Sequence, residues 1–135
     1  MTSLKKAPLG NDGVGSQAER YPRRRNKVSG CPLTAALAAI GGKWKLIIIY
    51  WLAESPKHFA ALKQLMPGIS QKVLTQQLRE LANDDVVKRQ PKGTVPAPVE
   101  YSLTDYGRTL LPLLENVRGW GNAHIEHMTT SKDAR

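Results

Sequence analysis

The sequence predicts a mainly α-helical domain carrying one small β-hairpin, and three observations lead there. Apolar residues recur at three- and four-residue intervals in five separate stretches after Cys31. Two of those stretches are joined by a tight turn at Pro67-Gly68. Two short runs rich in β-branched and aromatic residues, Val86 to Gln90 and Val99 to Leu103, flank a segment of Pro, Lys and Gly.

Cys31-Pro32 opens the first helical pattern, through Leu33, Leu37 and Ile40, because Pro suits a first turn, and Gly41-Gly42 stops it. Lys43 to Ala53 follows, with Trp44, Ile47, Ile48, Trp51 and Leu52 on one face, so this helix is expected at the centre of the core and both tryptophans within it. After Ser55-Pro56, Phe59, Leu62 and Met66 mark a helix of about two turns that ends at Pro67-Gly68. Ser70 is placed to cap the next helix, whose Leu74, Leu78 and Leu81 share one face, and Asn83-Asp84-Asp85 tolerate the left-handed angle that ends it. The hairpin comes next, with a basic loop around Gln90-Pro91-Lys92-Gly93. Thr104 then caps a long last helix from Asp105, with Leu110, Leu114, Val117 and Ile125 as its apolar positions and a bend at Pro112. Helix, turn, helix and hairpin in this order make a winged helix-turn-helix.

The chain of 135 residues has room for one such domain, expected over 29–128, and none for a second catalytic one. Residues 1–28, rich in Gly, Pro, Ser and basic side chains, are expected to form a basic disordered tail, and 129–135 a flexible C-terminal tail. The net charge of +9 favours an acidic polymer or an anionic surface as partner, and residues 1–30 hold seven basic side chains against two acidic ones. One cysteine excludes an intrachain disulfide and fits a reducing cytoplasm. Leu46 to Ala53, the longest apolar run, is far shorter than the roughly 20 residues of a membrane span, and the first thirty residues lack a secretory apolar stretch. A soluble cytoplasmic protein is expected, without a membrane partner. No Ser, His and Asp arrangement, paired carboxylates, P-loop or GxGxxG is present, so neither an enzyme nor a cofactor is expected.

Opposite the leucine face of the helix after Ser70 lie Lys72, Thr75, Gln76, Arg79 and Asn83. Arg and Lys read guanine O6 and N7, Gln and Asn pair with adenine, and a Thr methyl touches that of thymine. Ser70 and Gln71, with the amides of the helix N-terminus, suit a phosphate oxygen. Lys88, Arg89 and Lys92 extend the basic surface into the wing. Any surface helix needs a polar face, but its conjunction with the short preceding helix, the Pro-Gly turn and a basic hairpin points to double-stranded DNA. The alternative is the same fold used for protein or RNA contact without operator specificity.

Residues 31–125 resemble the HxlR-type family of winged helix regulators. Cys31-Pro32, Gly42-Lys43-Trp44, Gly68 to Leu81, Pro98 to Thr104 and Trp120-Gly121 reproduce its pattern in order. The resemblance implies a bacterial or archaeal source and a homodimer built by the first and last helices, through Leu33, Leu37, Leu114, Val117 and Trp120, on a pseudo-palindromic operator. For Trp120 the chain's own core is the alternative. Repression is the commoner arrangement in such compact regulators, activation the alternative. The sequence departs from the family at Asp85, where Gly is usual, and Asp holds a left-handed angle less well.

Cys31 stands at the positive end of a helix dipole, near Arg23, Arg24, Arg25 and Lys27, an environment that favours thiolate. Some relatives use the equivalent cysteine to sense oxidants, quinones or aldehydes, so the resemblance implies a small reactive effector; an inert thiol is the alternative. The three arginines reach either outer phosphates or only solvent. His124 and His127, with Glu126, are half a metal site that no Cys or His cluster completes, so no metal is expected. His58 is read as a helix-start or surface residue.

Overall fold

Pro32 occupies the first turn of helix α1 (Pro32–Ile40), after an extended Cys31, and the Gly41 amide closes it by donating to the Leu37 carbonyl at 2.8 Å. The structure, a computed structural model, describes residues 30–91 and 98–133. Beyond α1 the described elements are α2 (Lys45–Glu54), β1 (Lys57–His58), α3 (Phe59–Leu65), α4 (Gln71–Asn83), β2 (Val87–Pro91), β3 (Val99–Leu103), α5 (Asp105–Arg108) and α6 (Leu111–Asp133).

Helix α2 crosses the centre of the core, with a burial face one residue away from the expected one. Lys45, Ile48, Ile49 and Leu52 are its buried residues, at i, i+3, i+4 and i+7. Trp44 and Trp51, expected inside, are half-buried at the core's edge: Lys43 sits over the Trp44 ring at 4.7 Å, and Tyr50 meets Trp51 edge-on at 5.0 Å. A helix apolar on nearly every side gives no sequence signal for which stripe is innermost. Against α2 pack Leu62, Met66, Leu74, Leu78, Leu81, Val86 and Leu103 in one buried cluster.

The sheet has a third strand that the sequence pattern did not announce. β1 pairs antiparallel with β3, Lys57 opposite Tyr101 and His58 opposite Glu100, in the order β1-β3-β2. Two residues are too few to display an alternation. His58 sits just before α3 and its ring Nδ1 donates to the Val99 carbonyl at 3.1 Å, which joins the start of α3 to the wing. The wing begins one residue later than expected because Val86 serves the helix before it. Val86 N–H bonds Leu81 O at 2.9 Å and Asp85 N–H bonds Ala82 O at 3.1 Å, the double closure of a Schellman motif, with Asp85 at φ 68°.

The expected single last helix is two helices. Thr104 caps α5 as foreseen, its Oγ1 accepting from the Gly107 amide at 2.8 Å, but α5 stops at Arg108 and α6 starts at Leu111. Pro112 has no N–H to offer the Arg108 carbonyl, and its ring would crowd that oxygen; Thr109 and Leu110 close instead onto Tyr106 and Gly107, both at 3.0 Å. The break therefore precedes the proline. α6 then runs to Asp133, past the expected domain limit at 128; after Gly121 it contains no further Gly or Pro. Only its beginning joins the core, through Leu114 and half-buried Leu111, with half-buried Leu110 just before it; Val117 and Ile125, apolar positions on the same face, are exposed. No single helix among the described residues is long and apolar enough to cross a membrane.

Candidate nucleic-acid interface

Between α3 and α4 the chain turns through Met66-Pro67-Gly68-Ile69, with Ile69 N–H on the Met66 carbonyl at 3.2 Å. Gly68 has φ 94°, so Pro and Gly occupy the positions that a type II turn reserves for them. Met66 and Ile69 are buried on either side, which pins the angle between the two helices. The Ser70 hydroxyl accepts from the Val73 amide at 3.0 Å and caps α4, so the amides of the first turn point out of the helix start.

The leucine face of α4 is buried, and the opposite face forms an open concave surface. Gln71, Lys72, Thr75, Gln76, Arg79, Glu80 and Asn83 line it. Gln71, Lys72, Thr75, Gln76 and Arg79 are exposed and Asn83 is half-buried. From the wing, Lys88 is exposed and Arg89 is half-buried opposite Tyr101. Thr75, Arg79, Arg89 and Tyr101 meet around one small hollow where α4 abuts the sheet, so the two arginines form a continuous basic edge. Lys92 and the arginines of the N-terminal segment lie outside the described residues.

One group at this surface was not foreseen. Lys45, buried at the start of α2, places its ammonium 2.7 Å from Glu80 Oε1, and Gln76 Nε2 donates to Glu80 Oε2 at 3.2 Å. Local pattern did not announce it, because the inner stripe of α2 is not legible in the sequence; once buried, a lysine needs an anion beside it.

Residues 39–129 match the family model described as HxlR-like helix-turn-helix. The chain belongs to that family. Among its relatives, the uncharacterized HTH-type transcriptional regulator YdeP of Bacillus subtilis is 43% identical over 106 residues, covering 78% of this chain and 83% of that protein. The crystal structure of ytcD, described as an HTH-type transcriptional regulator, is 46% identical and superposes with a TM-score of 0.68 over 72% of this chain and 99% of its own. A structure titled redox regulator HypR in its reduced form is 40% identical, with a TM-score of 0.70 over 74% of this chain and 99% of its own. The HxlR-like chain is thus a DNA-binding, winged helix-turn-helix transcriptional regulator and not an enzyme.

The remaining expected site residues of the HxlR-like chain divide. Leu33, Leu37, Val117 and Trp120 are exposed, Leu33 and Trp120 by 67% each. Leu114 is 8% exposed and belongs to the chain's own core, so it is removed from the candidate dimer face. His124 stacks on Trp120 with ring centroids 4.8 Å apart, and neither it nor exposed His127 belongs to a group of three or more metal-ligating side chains among the described residues. Cys31 is exposed and its thiol makes no capping bond of ordinary length. The amide and then the hydroxyl of Thr34, followed by the Leu33 amide, nevertheless face the sulfur and hold its pKa below the usual thiol value.

Proposed function

We propose that this HxlR-like regulator reads a pseudo-palindromic operator in double-stranded DNA as a homodimer, represses transcription by occupying promoter DNA, and responds through Cys31 to small oxidants, quinones or aldehydes. The observation that carries the reading is the exposed face of α4: Lys72, Thr75, Gln76 and Arg79 present base-reading chemistry on a helix set by a capped tight turn, with Arg89 of the wing beside it. Gln71 and the first-turn amides suit a phosphate at the edge of the same groove.

The dimer reading rests on exposed apolar side chains that no described residue covers. Leu33 and Leu37 on α1 and Val117, Trp120, Ile125 and Met128 on α6 are large, apolar and exposed. Gly119 and Gly121 lie beside Trp120, and among the described residues no atom beyond their chain neighbours and their own helix backbone stands within 4 Å of where their Cβ atoms would be. Two glycines weaken a helix that no described residue obliges them to weaken, which fits close approach by a second helix. The response reading rests on the acidified, exposed thiol and on the likeness to a protein titled a redox regulator.

Selection from random duplex DNA, with native mass spectrometry of the selected complex, tests this. A two-fold motif with half-sites about one helical turn apart and two chains per duplex is expected, together with repression of a promoter carrying the motif in vitro. Trp120→Glu should yield monomers that lose the operator. Enrichment of no motif, or one chain per duplex, removes the operator reading.

A further inference from the structure

We infer that Lys45, a core residue whose ammonium is covered, is a positioning residue for base reading by α4; this rests on Gln76 being a base-reading side chain. The Lys45 side chain is 6% exposed and that of Glu80 24%. Stability alone gives little reason for such a pair, because an apolar residue of similar volume commonly stabilises a core as well as a buried ion pair does. What the pair does have is an outward connection. Glu80 uses its two oxygens separately, Oε1 for Lys45 at 2.7 Å and Oε2 for Gln76 at 3.2 Å.

A carboxylate only accepts hydrogen bonds, so the Gln76 amide nitrogen must be the end that faces Glu80. In the inferred arrangement the N–H trans to Oε1 goes to Glu80, which leaves Oε1 with the N–H cis to it as the remaining edge. That edge is the one adenine requires, an acceptor for N6–H beside a donor for N7. Lys45 acts a second way through the same carboxylate. Glu80 lines the concave surface that the proposed function gives to DNA, and the ammonium behind it offsets a charge that DNA would repel. A lysine in the core thus holds a carboxylate on the surface, and the carboxylate orients the glutamine.

The test is competition among single-base variants of the selected duplex, using wild type, Gln76→Ala, Lys45→Met and Glu80→Gln, with thermal melting to establish folding. Gln76→Ala identifies the base position read. Lys45→Met should lower discrimination at that position by about three- to tenfold while leaving discrimination at the other positions unchanged. Glu80→Gln should relax the same position, because its single amide oxygen cannot serve Lys45 and Gln76 separately; it decides the matter if Lys45→Met does not fold. Unchanged discrimination at the Gln76 position in the folded variants, or a loss spread evenly over all positions, overturns the inference. If Gln76→Ala relaxes no position, the base-reading assignment fails first and takes this one with it.

Discussion

Gly107 packs against the carbonyl of Val86 with no room for a side chain between them. The contact joins the end of α4, the start of the wing and the turn into α5, because Thr104 N–H also donates to Val86 O, at 3.1 Å. Gly107→Ala is expected to destabilise the fold by about 1–3 kcal/mol, as overpacking against backbone does. A helix glycine without such a contact would instead gain up to about 1 kcal/mol from alanine. The direction of the shift in urea midpoint decides between them.

Asp85 carries the opposite expectation. It holds φ 68° with a side chain attached, in the position where the Schellman closure favours glycine. Asp85→Gly removes that strain and loosens the unfolded chain, with a net gain of about 0.3–1 kcal/mol. Chemical denaturation of the two proteins side by side measures it, and a loss would show that the carboxylate contributes more than its backbone angle costs.

Arg79 and Arg89 share one hollow, yet they are expected to fail differently when removed. Arg79→Ala should cost about 1–3 kcal/mol of discrimination at one or two base positions. Arg89→Ala should weaken every duplex alike and flatten the dependence of affinity on salt. Titration of operator and scrambled duplex at several salt concentrations separates the two patterns; identical profiles for both variants would refute the division of labour.

The thiol of Cys31 has its pKa lowered by the Thr34 amide and hydroxyl, so at a given pH more of it is thiolate than in an unstructured peptide. Its rate of alkylation should therefore rise with pH around a lower midpoint than that of the same protein in urea. In Thr34→Val the hydroxyl is gone while the amide remains, and the midpoint should move part of the way up. Rates that coincide in buffer and urea would leave the thiol ordinary.

Legibility in the sequence followed the reach of each signal. Leu74, Leu78 and Leu81 lie on one face of a well-capped helix, so α4 and its outward residues could be read in advance, and Ser70 and Thr104 cap as their types require. The strand at Lys57-His58 is set by what it pairs with, which local pattern does not record. The same holds for Lys45, whose burial depends on Glu80 of another helix. Pro112 announced a disruption correctly, but the interruption falls at the carbonyl left without a donor, one turn earlier. The stripe from Leu114 to Ile125 gave helical spacing and could not say which part of it the subunit itself would cover.

Helix α1 has nine residues, only Ile40 of them buried. In water a helix of that length does not hold itself together, since nucleation costs more than so few turns return. Its persistence is therefore borrowed, and the thiol that precedes it borrows in turn, because the amides that acidify Cys31 face the sulfur only while the first turn is wound. The acidity of Cys31 thus follows a helix–coil balance. A partner that covered Leu33 and Leu37 would wind α1 and raise the thiolate fraction, and by the same linkage a modification of the sulfur that unwound the first turn would loosen that partner's hold on the leucines.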